Sequence, residues 1–362
     1  MQLLDFPLSA TDVPLDSDAQ LMRQLGELLQ ETLGQAPGVR LRRLIGEGLD
    51  ALPQPGGGRT LQRWQMLARV AGDDLALAKL YEAHTDALAI LAALDPGAGV
   101  GLFASPSYGV WAAEAADIRV VATEDVSGQV MLNGRKPWCS GATEVQRGLL
   151  TVWMPDSAGP WLADVDMRQP GVRFDDSAWA AVGMAGTGTA EVIFEQVPAR
   201  LVGGCGAYLD RAGFWHGGAG IAACWHGALE TLTEALRVAT SIRQGEGWHL
   251  QVALGQVDGL LSANAATLRE AAAWIDQHPQ ADARTWALRV RTATDEVAQQ
   301  VLRAVTRALG PGPFCRHPGL ARLMADLPVF LRQSHGDRDL AMLGTLASAS
   351  AADAGGGPPW RL

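Results

Sequence analysis

The chain has 362 residues, 48% hydrophobic and 19% charged, a balance that excludes disordered, collagenous and fibrous classes. A formal net charge of −10, from 29 basic and 39 acidic residues, excludes nonspecific binding to nucleic-acid backbones, which needs a concentrated basic surface. Cys139, Cys205, Cys224 and Cys315 lack metal-ligand spacing and are too few for a disulfide framework.

The first residues carry acids where a signal peptide has a basic region, and the apolar stretches at 74–95 and 217–228 are interrupted by charge or Gly. We therefore expect a cytoplasmic protein with no membrane partner. Leu21, Leu25, Leu28 and Leu29 recur at helical spacing and predict amphipathic helix within 18–50. Leu75, Leu77, Leu80 and Leu88 do the same within 60–95, and the Pro/Gly run at 53–58 separates the two as a turn. From about residue 100 to 200, short β-prone runs take over at Ile118–Thr123, Gly128–Leu132, Leu149–Met154, Trp161–Val165 and Ala190–Phe194. After Gly203–Gly206 the helical period returns at 230–237, Val257–Ile275, Leu288–Leu309 and Leu320–Leu343, which predicts an antiparallel bundle. The expected α+β organisation is an N-terminal helical domain (1–98), a middle β-barrel or sandwich domain (99–202), a C-terminal four-helix bundle (203–349) and a flexible tail (350–362).

Nucleophile-elbow, phosphate-loop and HExxH patterns are absent from the sequence. The glycine-rich run Gly183–Thr189 feeds a strand, whereas a dinucleotide pyrophosphate site needs a helix N-terminus there. Twelve tryptophans stand against 7 Phe and 3 Tyr, and they gather in the β region and around 215–225. In Phe214–His226 the small residues permit close helix packing, while Trp215, His216, Trp225 and His226 are placed to line a cavity.

Three segments carry a family resemblance. Leu132–Ala142 (LNGRKPWCSGA) resembles the acyl-CoA dehydrogenase signature in which a strand reaches an LNGxK turn and then a W-I-T-N-type segment. Val182–Pro198 resembles that family's LGMRGSGTxxVxFxxVxVP segment, and Gly310–Pro313 with Arg322–Asp326 resembles its GGxGY…ERxxRD region. The resemblance implies FAD between the β domain and the bundle, a substrate beside the isoalloxazine, and a homodimer or homotetramer. Ser140 then stands where the family has a flavin-bonding Thr, with Trp138 against the ring, Cys139 between them, Trp111 in the preceding loop and Gln333 on the bundle side. The adenosine-contacting run corresponds to Arg243–Gln251 and lacks the family's phenylalanine.

Leu331 occupies the position of the usual catalytic glutamate. Some family members carry the base on an earlier helix, and counting back from Gly220 gives Asp210, followed by Arg211; Asp210 is also suited to capping that helix. Asp337 and Asp339 are weaker acidic candidates in a solvated charge run. Lys136–Gly141 also resembles the K-x-F-C-S-G segment of flavin-dependent monooxygenases of the same fold, which use reduced FMN or FAD from a partner reductase. In that version Ser140, His84 and His335 supply the hydroxyl and histidines. The expectation is an oxidoreductase acting on an acyl thioester such as acyl-CoA, or a similar small carbonyl compound. A two-component monooxygenase and a catalytically silent binding or assembly relative are the alternatives.

Overall fold

The computed structural model describes residues 17–98, 106–115, 117–177, 179–243 and 247–353. The N-terminal unit contains α1 (Ser17–Glu31), α2 (Pro37–Gly46), α3 (Thr60–Asp73) and α4 (Leu75–Leu94). The first expected helix is thus two, because Gly34 at φ 82° ends one turn and Pro37 opens the next helix. The second divides at Asp74, whose extended backbone and side chain, accepting from Leu77 N at 3.0 Å, cap α4.

The β unit comprises β1 (Tyr108–Trp111), β2 (Val120–Glu124), β3 (Val130–Cys139), β4 (Arg147–Val152), β5 (Trp161–Asp166), β6 (Val172–Asp175) and β7 (Ala190–Val202). Strand order is β1-β4-β5-β7-β3-β2, with β6 also on β7; β1 and β4 run parallel and the other pairs antiparallel. The 13-residue β7 joins two sections, residues 190–199 pairing β3, residues 191–194 also pairing β6, and residues 200–202 pairing β5. The LNG segment is not a turn. It is an irregularity inside β3, where Gly134 at φ 122° lies so close to β2's approach that a Cβ would stand 2.2 Å from Arg119 O.

After α5 (Ala207–Asp210) come α6 (Gly213–Ile242), α7 (Trp248–Gln277) and α8 (Arg284–Leu309), then α9 (Pro311–Arg316), α10 (Pro318–Phe330) and α11 (Asp337–Asp353). The last expected helix is broken: Pro328 sits near the end of α10, and a one-turn 3-10 segment, Leu331–Gln333, separates it from α11. Residues 354–362 of the expected tail lie outside the described residues, and α11 extends past its start. No helix among the described residues is long and apolar enough to cross a membrane.

α4 and α10 dock the helices onto the β unit. Leu80 of α4 lies over Gly141, where a Cβ would come within 2.5 Å of its Cδ2, and Ala76 lies over Gly186. Gly183 sits against α10 so tightly that a Cβ would meet Ala325 O at 2.0 Å. Inside the bundle, Asn264 of α7 joins His226 Nδ1 of α6 at 2.9 Å and accepts from Thr294 Oγ1 of α8 at 3.0 Å. That buried polar chain fixes how three helices are rotated against one another.

Candidate functional site

The end of β3 forms a corner that is pinned on its inner side and open on its outer side. Trp138 adopts φ 57°, a left-handed backbone unusual for a large side chain, and its indole is 58% exposed. Trp111, buried, donates from Nε1 to Ser140 O at 3.0 Å and so holds the next turn. Its ring lies across Gly109 and Gly148, where added Cβ atoms would stand 2.7 and 2.3 Å from ring carbons. Gly141 donates from its backbone N–H to Thr187 O at 2.9 Å, and Thr189 Oγ1 donates to Ser140 Oγ at 3.3 Å. Ser140 is partly exposed and keeps its own hydroxyl proton for another acceptor.

Cys139 is fully buried, with Sγ 3.2 Å from Lys136 O, and burial pushes its thiol well above the ordinary range. It can offer a ligand only its backbone. Trp111, Trp138, Cys139 and Ser140 therefore form one unit. Its outward face, an indole beside a hydroxyl, matches the surface of a planar heteroaromatic ring with hydrogen-bonding edges.

Sequence reasoning missed the support beneath this corner. Lys136 is 1% exposed and places its ammonium on Glu114 Oε1 at 2.7 Å, Thr151 Oγ1 at 2.7 Å and Thr151 O at 3.2 Å, so all three of its donors are used. Burial lowers the Lys136 pKa against the pull of Glu114. Burial alone would raise Glu114, but hydrogen bonds from Lys136 and Thr151 outweigh it and hold the carboxyl below its usual range. Trp153 Nε1 completes the set on Glu114 Oε2 at 3.2 Å. A lysine alternating into the interior face of a strand was the available signal.

Gln333 lies on the bundle, exposed, in the turn after α10, and its carbonyl accepts from Arg291 Nη2 at 3.0 Å. Leu331 in the same turn is fully buried. Asp210 ends the four-residue α5 and is exposed; it does not cap α6, whose N-cap is Ala212. His84 is fully buried: Tyr108 N–H donates to its Nδ1 at 3.2 Å, so Nε2 carries the proton toward Asp50 Oδ2 at 3.0 Å. Both ring nitrogens are committed to the scaffold. His335 has a 65% exposed side chain with Nδ1 3.5 Å from Asp339 Oδ1, and Asp339 is buried against Arg291. Trp225 is fully buried and His216 nearly so, which makes both packing residues of α6. Burial lowers the His216 pKa. A groove of about 580 Å³ bordered by Asp18, Met22, Gln62, Gln65, Arg69 and Glu230 lies elsewhere, and none of these candidates lines it.

Asp326 of α10 closes the site from below by accepting the Met184 amide at the start of the 184–188 turn. Burial pushes its carboxyl above the ordinary range, the Met184 N–H opposes that rise, and nearby Asp74 adds to it. A carboxyl raised in the folded state holds its proton more tightly there than in the unfolded chain. The stability it contributes is present below about pH 4 and is lost as pH rises through the folded pKa. Asp326→Asn, which keeps an acceptor for Met184, is expected to flatten that loss in urea unfolding measured from about pH 4 to pH 7. An unchanged slope would contradict the assignment.

Helices, a two-section sheet carrying this corner, and a bundle docked on it together make the acyl-CoA dehydrogenase-like fold. The chain is similar to dibenzothiophene monooxygenase TdsC from Paenibacillus sp. A11-2, solved with FMN and indole (17% identity, TM-score 0.77, 91% of this chain and 96% of that one). It is similar also to butyryl-CoA dehydrogenase from Megasphaera elsdenii (15% identity, TM-score 0.78, 94% and 99%). KijD3, solved with FMN and a dTDP-linked amino keto sugar, is a third (18% identity, TM-score 0.75, 94% and 95%). No protein-family model and no curated protein sequence matches the chain.

Proposed function

We propose that the chain is a flavin-dependent oxidoreductase that seats the flavin ring against Trp138 and Ser140. The observation that carries this reading is the corner itself: an exposed indole held in a left-handed backbone beside a free hydroxyl proton, in a fold whose solved examples include flavin complexes. Bound flavin would supply two-electron chemistry, either accepting hydride from a substrate or, when reduced, reacting with oxygen.

The chain's own residues have distinct tasks in this account. Trp138 stacks on the ring, and Ser140 Oγ donates to its edge. Trp111 holds the Ser140 carbonyl, Cys139 contributes backbone, and Gln333 contacts the cofactor from the bundle. FAD is the proposed cofactor. Exposed Ile242, Trp248 and Val252, at the junction of α6 and α7, support a homodimer or homotetramer. In the dehydrogenase reading Asp210 takes the substrate proton, since buried Leu331 cannot.

The second reading is a two-component monooxygenase supplied with reduced FMN or FAD by a reductase. It is favoured by Leu331 at the glutamate position and by His335, whose exposed ring is free to meet a ligand. His84 is less suited because both its nitrogens are occupied.

Anaerobic mixing of flavin-loaded protein with octanoyl-CoA, followed by absorbance, separates the readings. Bleaching supports dehydrogenation, with Asp210→Asn expected to keep flavin and lose the bleaching. Oxygen-dependent turnover of reduced flavin supports monooxygenation. A protein that binds flavin but does neither is a silent relative, and the enzymatic proposal then fails.

A further inference from the structure

α8 carries Arg291 and Asp295 four residues apart, so two opposite charges share one face of the helix. Each meets the segment that follows α10. Arg291, with 14% of its side chain exposed, donates from Nη2 to Gln333 O at 3.0 Å and to Asp339 Oδ2 at 3.5 Å, while Nη1 donates to Gly218 O of α6 at 3.5 Å. Asp295 accepts from Arg332 Nη2 on both carboxylate oxygens, at 2.9 and 3.2 Å. The segment is also braced from within. Asp339, buried at the start of α11, accepts from the His335 N–H at 3.2 Å and from Ser334 Oγ at 3.5 Å, and the Ser334 N–H donates back to Leu331 O at 3.0 Å.

The order of the charges makes this contact selective. Sliding the segment by one turn along α8 would set Arg332 against Arg291, or Asp339 against Asp295, and like charges oppose both moves. The two pairs differ in kind. Arg291 and Asp339 are largely shielded from water, so breaking that pair strands a charge. Arg332 is 56% exposed, and its pair with Asp295 steers the segment at little cost to stability. Leu331 and Ser334 are buried, whereas Gln333 and His335 are exposed. The Gln333 side-chain amide makes no hydrogen bond among the described residues, because its backbone carbonyl is the group that Arg291 holds.

We infer that Arg291 and Asp295 are positioning residues of the flavin site, a two-charge clamp that fixes the segment bearing Gln333 and His335 before a ligand arrives. The inference deepens the proposed flavin-dependent reading and rests on it, because that reading is what sets Gln333 against the cofactor. Neither clamp residue touches the ligand. They act through the Gln333 carbonyl, Asp339 and Arg332, and leave the Gln333 amide and the His335 ring outward. A segment already held in place loses less conformational freedom when it meets a ligand, and the saving appears as affinity.

The test joins two readouts on the full chain: hydrogen–deuterium exchange of peptides covering 331–339, and fluorescence titration with whichever of oxidised or reduced FAD and FMN the wild type binds most tightly. Arg332→Asp and Asp295→Arg each set like charges face to face. Each should speed exchange in 331–339 and weaken flavin binding by roughly threefold to tenfold. The double variant Asp295→Arg with Arg332→Asp restores the attraction in reverse and should return both readouts to within about twofold of wild type. Arg291→Met should loosen the same peptides, with unchanged exchange in β3 showing that the fold survives. Single variants that exchange and bind like wild type, or a double variant no better than the singles, overturn the inference. Exchange that responds while flavin affinity stays constant overturns the positioning role. If the wild type binds none of the four flavin forms while exchange and rescue behave as expected, the oxidoreductase reading fails and the clamp stands.

Discussion

Trp111→Ala is expected to lower unfolding stability by about 3–5 kcal/mol, the usual cost of truncating a large buried aromatic side chain. The ring lies across two paired glycines, Gly109 in β1 and Gly148 in β4, so its removal bares the backbone beneath it. The same change removes the donor to Ser140 O. That carbonyl precedes Gly141, whose own N–H is bonded to Thr187, so the corner loses one of the bonds that fix it. We therefore expect a second effect, weaker flavin binding in the fraction that remains folded. Trp111→Phe keeps most of the ring and loses the N–H, so it should cost less than half as much while still loosening Ser140. Urea unfolding followed by far-ultraviolet dichroism measures both variants. A loss below about 1 kcal/mol for Trp111→Ala would show that the corner is not built on this ring.

Arg40→Ala should be comparably damaging, by about 3–5 kcal/mol, because it strands a buried carboxylate. Arg40 is 2% exposed and serves three partners: Nη2 reaches Asp73 Oδ2 at 2.6 Å and Leu29 O at 2.9 Å, and Nε reaches Thr32 Oγ1 at 3.2 Å. One side chain of α2 thus satisfies the C-terminal end of α1 and the acidic end of α3. Asp74, the cap of α4, lies 3.7 Å from Nη1 and 3.7 Å from Arg322 Nη1 of α10. Removing the guanidinium leaves Asp73 without its partner, and Asp74 with only the 62% exposed Arg322. The double replacement Arg40→Met with Asp73→Leu removes both charges and should recover most of the loss, as buried ion pairs are often replaceable by apolar groups of similar size. If the single and double variants unfold alike, the penalty comes from packing and not from the stranded charge.

The architecture was legible because the hydrophobic period changes twice along the chain, from helical to alternating and back, and helices give way to strands and return where it does. What the period could not show is where a helix breaks without losing its pattern. Leucines run through Asp74 on both sides, and only the capping geometry of that aspartate reveals two helices. The break at Leu331 was hidden for the same reason, since Pro328 and the 3-10 turn interrupt an apolar run that reads as continuous.

At the site, residues adjacent in sequence were the easier ones. Trp138, Cys139 and Ser140 follow one another, and the strand dictates that the first faces out and the second in. Trp111 was legible as a candidate, but its role as the donor that fixes Ser140 depends on a parallel strand pair that no local pattern announces. Tryptophan enrichment proved a mixed guide. Trp138 is exposed at the corner, whereas Trp64 and Trp225 are interior packing.

The central claim is that flavin sits on the Trp138–Ser140 corner, and equilibrium titration of the purified chain with FAD and FMN, oxidised and reduced, tests it most directly. Flavin fluorescence should quench on binding to the wild-type protein. Trp138→Ala should weaken the affinity by roughly tenfold or more, the value of a lost aromatic stack. Absence of binding for all four flavin forms, or full affinity in Trp138→Ala, would contradict the account.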